Sequence, residues 1–206
     1  MELSHKNPIE IKEDIVIKTF NPRFKKGIKS HEDAFTSELT AYKYFNIIRW
    51  AWAPRLLAFD TVRKQLKIQR INGMSLSETI KNNLTIDIPY IIDQLVELDR
   101  SLWIHRINCL HICSDDILLE KNTSKVYLVD YEYTLLRSRL KIILCDQILS
   151  SKIFKIQDQM RDCEFVNVLK NSRSRFYKYK TRRIYFLYTY FIHRFVLRKK
   201  KHEFLL

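Results

Sequence analysis

Apolar residues alternate with polar ones at the start of this chain and recur every three to four residues in its later half, a change of period that calls for strands first and helices afterwards. In "IEIKEDIVIKTF", Ile9 and Ile11, then Ile15 and Ile17, fall on repeating faces on either side of a tight polar break, Glu13-Asp14. This is the pattern of a β-hairpin, and Lys18 ends its second strand. "NPRFKKGIKSHED" reads as a polar loop. Ser30 or His31-Glu32-Asp33 then opens a helix, because Phe35, Leu39, Tyr42 and Phe45 follow at helical spacing and place Glu38 in its second turn.

Past Pro54, "RLLAFDTVRKQLKIQRING" returns to alternation, with strands from Leu56 to Phe59 and Gln65 to Ile71 around a charged turn and Asn72-Gly73 as the exit turn. Helical spacing resumes over Ser75 to Asn82 and Ile91 to His105, the second with Ile92, Leu95, Leu98 and Leu102 on one face. "HICSDD" is a polar loop, Ile117 to Leu119 and Val126 to Val129 are short strands around "EKNTSK", and the sequence beyond is helical and increasingly basic. The order implies an α+β fold: a β-rich N-lobe with one helix over 1–72, a helical C-lobe with a hairpin over 73–164, and a basic aromatic tail over 165–206.

A length of 206 residues, 46% of them hydrophobic, supports a core and one domain or two small lobes. Only two glycines and four prolines occur, while Lys, Ile, Tyr and Phe are plentiful. That bias suits an AT-rich genome, such as an organelle (a plastid included), an endosymbiont or a virus. Cys109, Cys113, Cys145 and Cys163 lack CxxC spacing, which argues against zinc and for a reduced, intracellular setting, cytoplasmic or organellar. "MELSHKNPIEIKED" has no apolar core of a secretory signal. No stretch reaches the ~18 apolar residues of a membrane span.

The net charge of +14 is concentrated at one end. Twelve Lys or Arg fall between Phe165 and His202 with no acid among them, which leaves the first 164 residues at +3. Aromatic residues interleave with these cations in "RSRFYKYKTRRIYFLYTYFIHRFVLRKKK". Three readings stay open for residues 170–201: a final helix buried against the second lobe, a surface for RNA, or a surface for anionic membrane.

"KVYLVDYEYT" is an apolar alternation that finishes on two carboxylates, Asp130 and Glu132. A strand that delivers an acid to a metal-phosphate site has this form, and so has a strand that runs out into a polar turn. Phosphoryl transfer needs a lysine on the phosphates, a helix carboxylate to hold it, a metal-binding aspartate and a loop for the acceptor. Lys18, Glu38 and Asp130 occur in that order. Read singly, Lys18 also fits a solvated strand edge and Glu38 a helix-surface acid.

Together "IVIK", the Glu of "SELTAYKYF", "APRLLAFD", "KIQRINGMSL", "LHICSDDILL" and "VYLVDYEYT" resemble the protein-kinase-like superfamily. The likeness is nearer to its small-molecule branch of choline and ethanolamine kinases, aminoglycoside phosphotransferases and lipopolysaccharide kinases, and runs from about residue 9 to about residue 135. It implies a protein-kinase-like two-lobe fold, ATP and Mg²⁺ as cofactors, and a nucleotide partner. Lys18 becomes the phosphate lysine, Glu38 its ion-pair partner and Asp130 a Mg²⁺ ligand. Asp116 takes the position of the family's metal-binding asparagine, and "KIQRING" becomes the segment bordering adenine, with backbone groups from Ile68 through Gln69 to Arg70.

Two departures separate the chain from that pattern. The family's catalytic aspartate is replaced by His111 or Cys113 according to alignment, which leaves His111 or Asp115 to orient or accept a proton. No glycine precedes Lys18, so a phosphate-binding loop is lost or reduced to the Glu13-Asp14 turn. The expected function is therefore kinase-like with phosphotransfer weak or absent, a pseudokinase. The alternatives are an active small-molecule or protein kinase and a basic RNA- or membrane-surface-binding protein. His111, Cys113 and the Asp115-Asp116 pair also admit purely structural roles.

Overall fold

The computed structural model describes residues 7–21, 31–137, 143–150, 160 and 163–178. Strands β1 (Ile9–Lys12) and β2 (Ile15–Thr19) form the expected hairpin about Glu13-Asp14. They join β3 (Leu56–Asp60) and β4 (Gln65–Gln69) in an antiparallel sheet of order β1-β2-β4-β3. Directly paired residues share a face, and the register sets Lys18 beside Leu66 and Val16 beside Ile68. Leu66 and Ile68 are buried, so this is the core face of the sheet.

Helix α1 (His31–Ile48) lays Phe35, Leu39, Tyr42 and Phe45 into the core at the spacing the sequence predicts. Fully burying each such side chain contributes about 1.5–3 kcal/mol. The helix buries Glu38 with them, on the turn between Phe35 and Tyr42. One helix thus supplies both an apolar wall and a buried carboxylate.

After the first sheet come β5 (Gly73–Ser75), α2 (Leu76–Lys81) and α3 (Ile88–Ile104). Gly73 begins a strand, where the sequence suggested a turn. It pairs with Glu120, and a β-carbon there would lie 2.1 Å from the Leu119 carbonyl oxygen. Only glycine permits that approach. Helix α3 starts three residues earlier than its apolar spacing suggests, because Asp87 caps it by accepting the Tyr90 N–H and Pro89 fits the first turn.

Strand β6 (Ile107–Cys109) pairs with β9 (Thr134–Leu136), neither of them read from the sequence. β7 (Ile117–Glu120), introduced by a 3-10 turn over Ser114–Asp116, pairs with β5 and β8 (Val126–Leu128). Gln94 of α3 grips the β7–β8 turn from both sides, donating to the Ser124 carbonyl and accepting from the Val126 N–H. The loop that leads to Asp130 is thereby fastened to the central helix.

Helices α4 (Leu144–Ser150), α5 (Glu164–Asn171) and α6 (Arg173–Tyr177) pack with α3. Phe165, Val166, Leu169 and Phe176 are buried there. Arg173 pairs with Asp146 at 2.8 Å and Arg175 with Asp93 at 2.5 Å, so two early cations of the basic stretch face acids of the body. The expectation of an RNA or membrane surface beyond Lys178 lies outside the described residues. Among the described residues no helix is long and apolar enough to cross a membrane, and all four cysteines are free thiols.

Candidate functional site

The pleat of β2 turns Lys18 toward α1. Its Nζ lies 2.7 Å from Glu38 Oε2, 2.8 Å from Asp130 Oδ1 and 3.0 Å from Glu132 Oε1. Lys18 and Glu38 are nearly dry, whereas the Asp130 side chain is 44% exposed, so the cluster opens to solvent on the Asp130 side. Burial acts to lower the Lys18 pKa, but Glu38, then Asp130 and Glu132, outweigh it and hold the group well above its usual value. Lys18 is an ammonium ion. Burial pushes the Glu38 carboxyl up, and the Lys18 charge opposes that push.

Asp130 reaches the cluster by an unusual backbone step. β8 buries Val126 and Leu128, the Val129 N–H bonds the Asp116 carbonyl at 2.9 Å, and Asp130 then adopts φ +65°. Aspartate is one of the few residues other than glycine that visit this left-handed region readily. Tyr131 is fully buried and donates its hydroxyl to the Leu128 carbonyl, while Asp130 and Glu132 on either side both face Lys18.

The Tyr131 ring meets Tyr42 at 5.2 Å and Phe45 at 4.7 Å, both edge-on, and Phe45 in turn lies 4.7 Å from Trp50. Edge-to-face pairs contribute about 0.5–1.5 kcal/mol each beyond their burial. This aromatic block fixes α1 to the Asp130 segment. The approach of Glu38 and Asp130 to one ammonium is set by it.

Asp116 closes the 3-10 turn: its Oδ2 accepts the Cys113 N–H at 2.8 Å and the Cys113 thiol at 3.1 Å. Burial, followed by the charge of Asp130, pushes its pKa up to about 7. Burial and then Asp116 push the Cys113 thiol up to about 12, so it stays a neutral donor. Asp116 and Asp130 therefore share one field, and their repulsion is of the kind a hard divalent cation relieves. Glu38, Asp130 and Glu132 also offer oxygens within 4.8 Å of one another. Those three oxygens already surround the Lys18 ammonium, and Mg²⁺ is commonly held by one or two carboxylates together with phosphate and water; Asp130 and Asp116 could supply those carboxylates.

The other expected site residues lie apart. His111 and Asp115 are exposed, and among the described residues no hydrogen bond or ion pair joins either to the Lys18 cluster; the nearest ring to His111 is Tyr133, at 6.3 Å. The N–H groups of Gln69 and Arg70 are not open for a base, since they bond the Arg55 and Asp14 carbonyls at 2.8 Å each. Arg70 also donates to the Glu13 carbonyl, which holds the Glu13-Asp14 turn at the end of β2 away from Lys18. That turn does not cover the cluster.

A residue that no sequence pattern marked does approach it. Asn7 Nδ2 donates to Glu132 Oε1 at 2.5 Å, and Asn7 Oδ1 accepts the Asn21 N–H at 3.3 Å.

No protein-family model matches this sequence, and no curated protein matches it. Solved structures do. WbdD with a kinase inhibitor aligns with a TM-score of 0.56 and 16% identity over 84% of this chain and 44% of that one. A second WbdD structure, described as a bifunctional kinase-methyltransferase, gives a TM-score of 0.54 and 16% identity over 92% of this chain and 49% of that one. The chain spans about half the length of these neighbours. At such identity the likeness is one of fold, and the fold of this chain is kinase-like and α+β.

Proposed function

We propose that this chain is a kinase-like protein that binds a Mg²⁺-nucleotide, with ATP as the expected form, and that its phosphotransfer is weak or absent. One observation carries the reading: Lys18 sits 2.7 Å from Glu38 and 2.8 Å from Asp130, brought together from β2, α1 and the segment after β8. Lys18 would meet the phosphates, Glu38 would orient it, and Asp130 with Asp116 would hold Mg²⁺, which supplies charge neutralisation when bound. Ile9 pairs with Lys18 and Ile11 with Val16, so both lie on the Lys18 face of the sheet, and each is 61% exposed. They offer an apolar roof for a base ring. The β-rich and helical lobes would meet at Asn72-Gly73.

Weak catalysis is favoured because the expected aspartate of the loop is replaced, and the groups that could substitute, His111 and Asp115, have no bond to the cluster. An active kinase would need one of these two to reach an acceptor hydroxyl.

Thermal unfolding with and without Mg²⁺-ATP tests the reading on the wild type, Lys18→Ala and Asp130→Ala. Ligand 100-fold above its dissociation constant raises stability by about 2.7 kcal/mol when it binds the folded state alone. The wild type should show the rise and both variants should lose it. A wild type that does not respond rejects the proposal.

A further inference from the structure

An ammonium has three N–H donors, and Lys18 faces three carboxylates, Glu38, Asp130 and Glu132, at 2.7, 2.8 and 3.0 Å. In the nucleotide reading, which this inference extends, Glu38 is the standing partner and Asp130 turns to the metal. Glu132 has neither task. Its position is nevertheless held: Tyr131 anchors the chain just before it, and Asn7 donates to the same oxygen that faces Lys18.

Asn7 is itself tied down. Its side-chain oxygen accepts from the Asn21 N–H, and the next carbonyl, Pro8, accepts from Thr19 N–H at 2.9 Å, one residue beyond Lys18. The segment entering β1 is therefore laced to the Lys18 end of β2. A carboxylate oxygen 3.0 Å from the ammonium has the charge sign and the acceptor chemistry of a phosphate oxygen.

We propose that Glu132 competes with nucleotide phosphate for Lys18, and that Asn7 keeps it in place. The site is then closed by one of its own side chains and opens when Asn7 releases Glu132. If Glu132 were instead a third metal ligand, its loss would weaken nucleotide binding, so the two roles differ in sign.

Calorimetric titration of the full chain with Mg²⁺-ATP, and separately with Mg²⁺ and inorganic tripolyphosphate, distinguishes them in the wild type, Glu132→Gln and Asn7→Ala. Glu132→Gln keeps the shape and removes the charge, and it should bind both ligands about tenfold tighter, the scale of one charge-assisted hydrogen bond. Asn7→Ala, which leaves Glu132 intact, should shift both in the same direction by a smaller factor. Unchanged or weaker ATP binding in Glu132→Gln overturns the inference and leaves the nucleotide reading standing. Tighter tripolyphosphate with no ATP binding in any of the three proteins keeps the competition and rejects the nucleotide reading. Failure of all three to bind either ligand rejects both.

Discussion

Lys18 and Glu38 stand 20 residues apart in the sequence and 2.7 Å apart in space, with side chains only 10% and 1% exposed. Removing Lys18 leaves Glu38 in a dry place without its ion-pair partner, whereas removing Glu38 leaves Lys18 with Asp130 and Glu132. Lys18→Met should therefore cost about 3–5 kcal/mol at pH 8, the usual result of breaking a buried pair from one side. At pH 5 the loss should shrink, because burial pushes the Glu38 carboxyl up and the unpartnered acid takes a proton. Urea unfolding at the two pH values measures this. The double variant Lys18→Met/Glu38→Gln should recover most of the loss.

Asp116 makes the fold sensitive to pH. Its folded pKa is raised from 3.8 to about 7, so its contribution to stability is fully present below the unfolded value and is lost as pH climbs through about 7. Asp116→Asn keeps an oxygen for the Cys113 N–H and removes the titration. It should match the wild type near pH 4 and exceed its stability at pH 8 by an amount on the order of a few kcal/mol. Equal stability of the two proteins across that range would contradict the assignment.

The hydroxyls of Tyr42 and Tyr131 should respond oppositely to deletion. Tyr131 donates to the Leu128 carbonyl, and the fully buried Tyr42 hydroxyl finds no partner among the described residues. Tyr131→Phe should cost about 1–2 kcal/mol, whereas Tyr42→Phe should be neutral or stabilising. Chemical denaturation of both variants decides it, and equal losses would count against this hydrogen-bond assignment.

Gly73 is a packing requirement. A β-carbon 2.1 Å from the Leu119 carbonyl oxygen meets backbone, which cannot yield as a flexible side chain would. Gly73→Ala should destabilise by about 1–3 kcal/mol and loosen the β5–β7 pairing. Unchanged or slowed exchange in the variant at the Lys121 amide, which donates to the Asn72 carbonyl at 2.8 Å, would refute that.

Strand β4 and the amphipathic α1 were legible because burial on one face writes a period into the sequence, whereas β1 is exposed throughout and the first hairpin followed from the Glu13-Asp14 break. Thus Ile9 to Thr19, Leu56 to Gln69, and Phe35 to Phe45 lie where alternation and helical spacing place them. Three-residue strands such as β6 and β9 are too short to carry a period. The use of the Gln69 and Arg70 N–H groups within the sheet leaves no trace in side-chain pattern either. Within the site, the order of Lys18, Glu38 and Asp130 pointed to a cluster, and these three do converge. Asn7 joins Glu132 across 125 positions through a single amide, a contact that follows from the tertiary path of the chain. Asp116 fits its structural reading, since it closes a local turn, and that turn sits in the field of Asp130.

The rings of Tyr42, Phe45, Trp50 and Tyr131 owe nothing to a nucleotide, yet they determine how closely Glu38 and Asp130 approach each other. The geometry of the cluster is thus insulated from its chemistry. Substitutions on the solvent side of the cluster, where the Asp130 side chain is 44% exposed, leave that aromatic block untouched. Charge at the ammonium and persistence of form are then separable properties of the same chain, and the aromatic block is where they part.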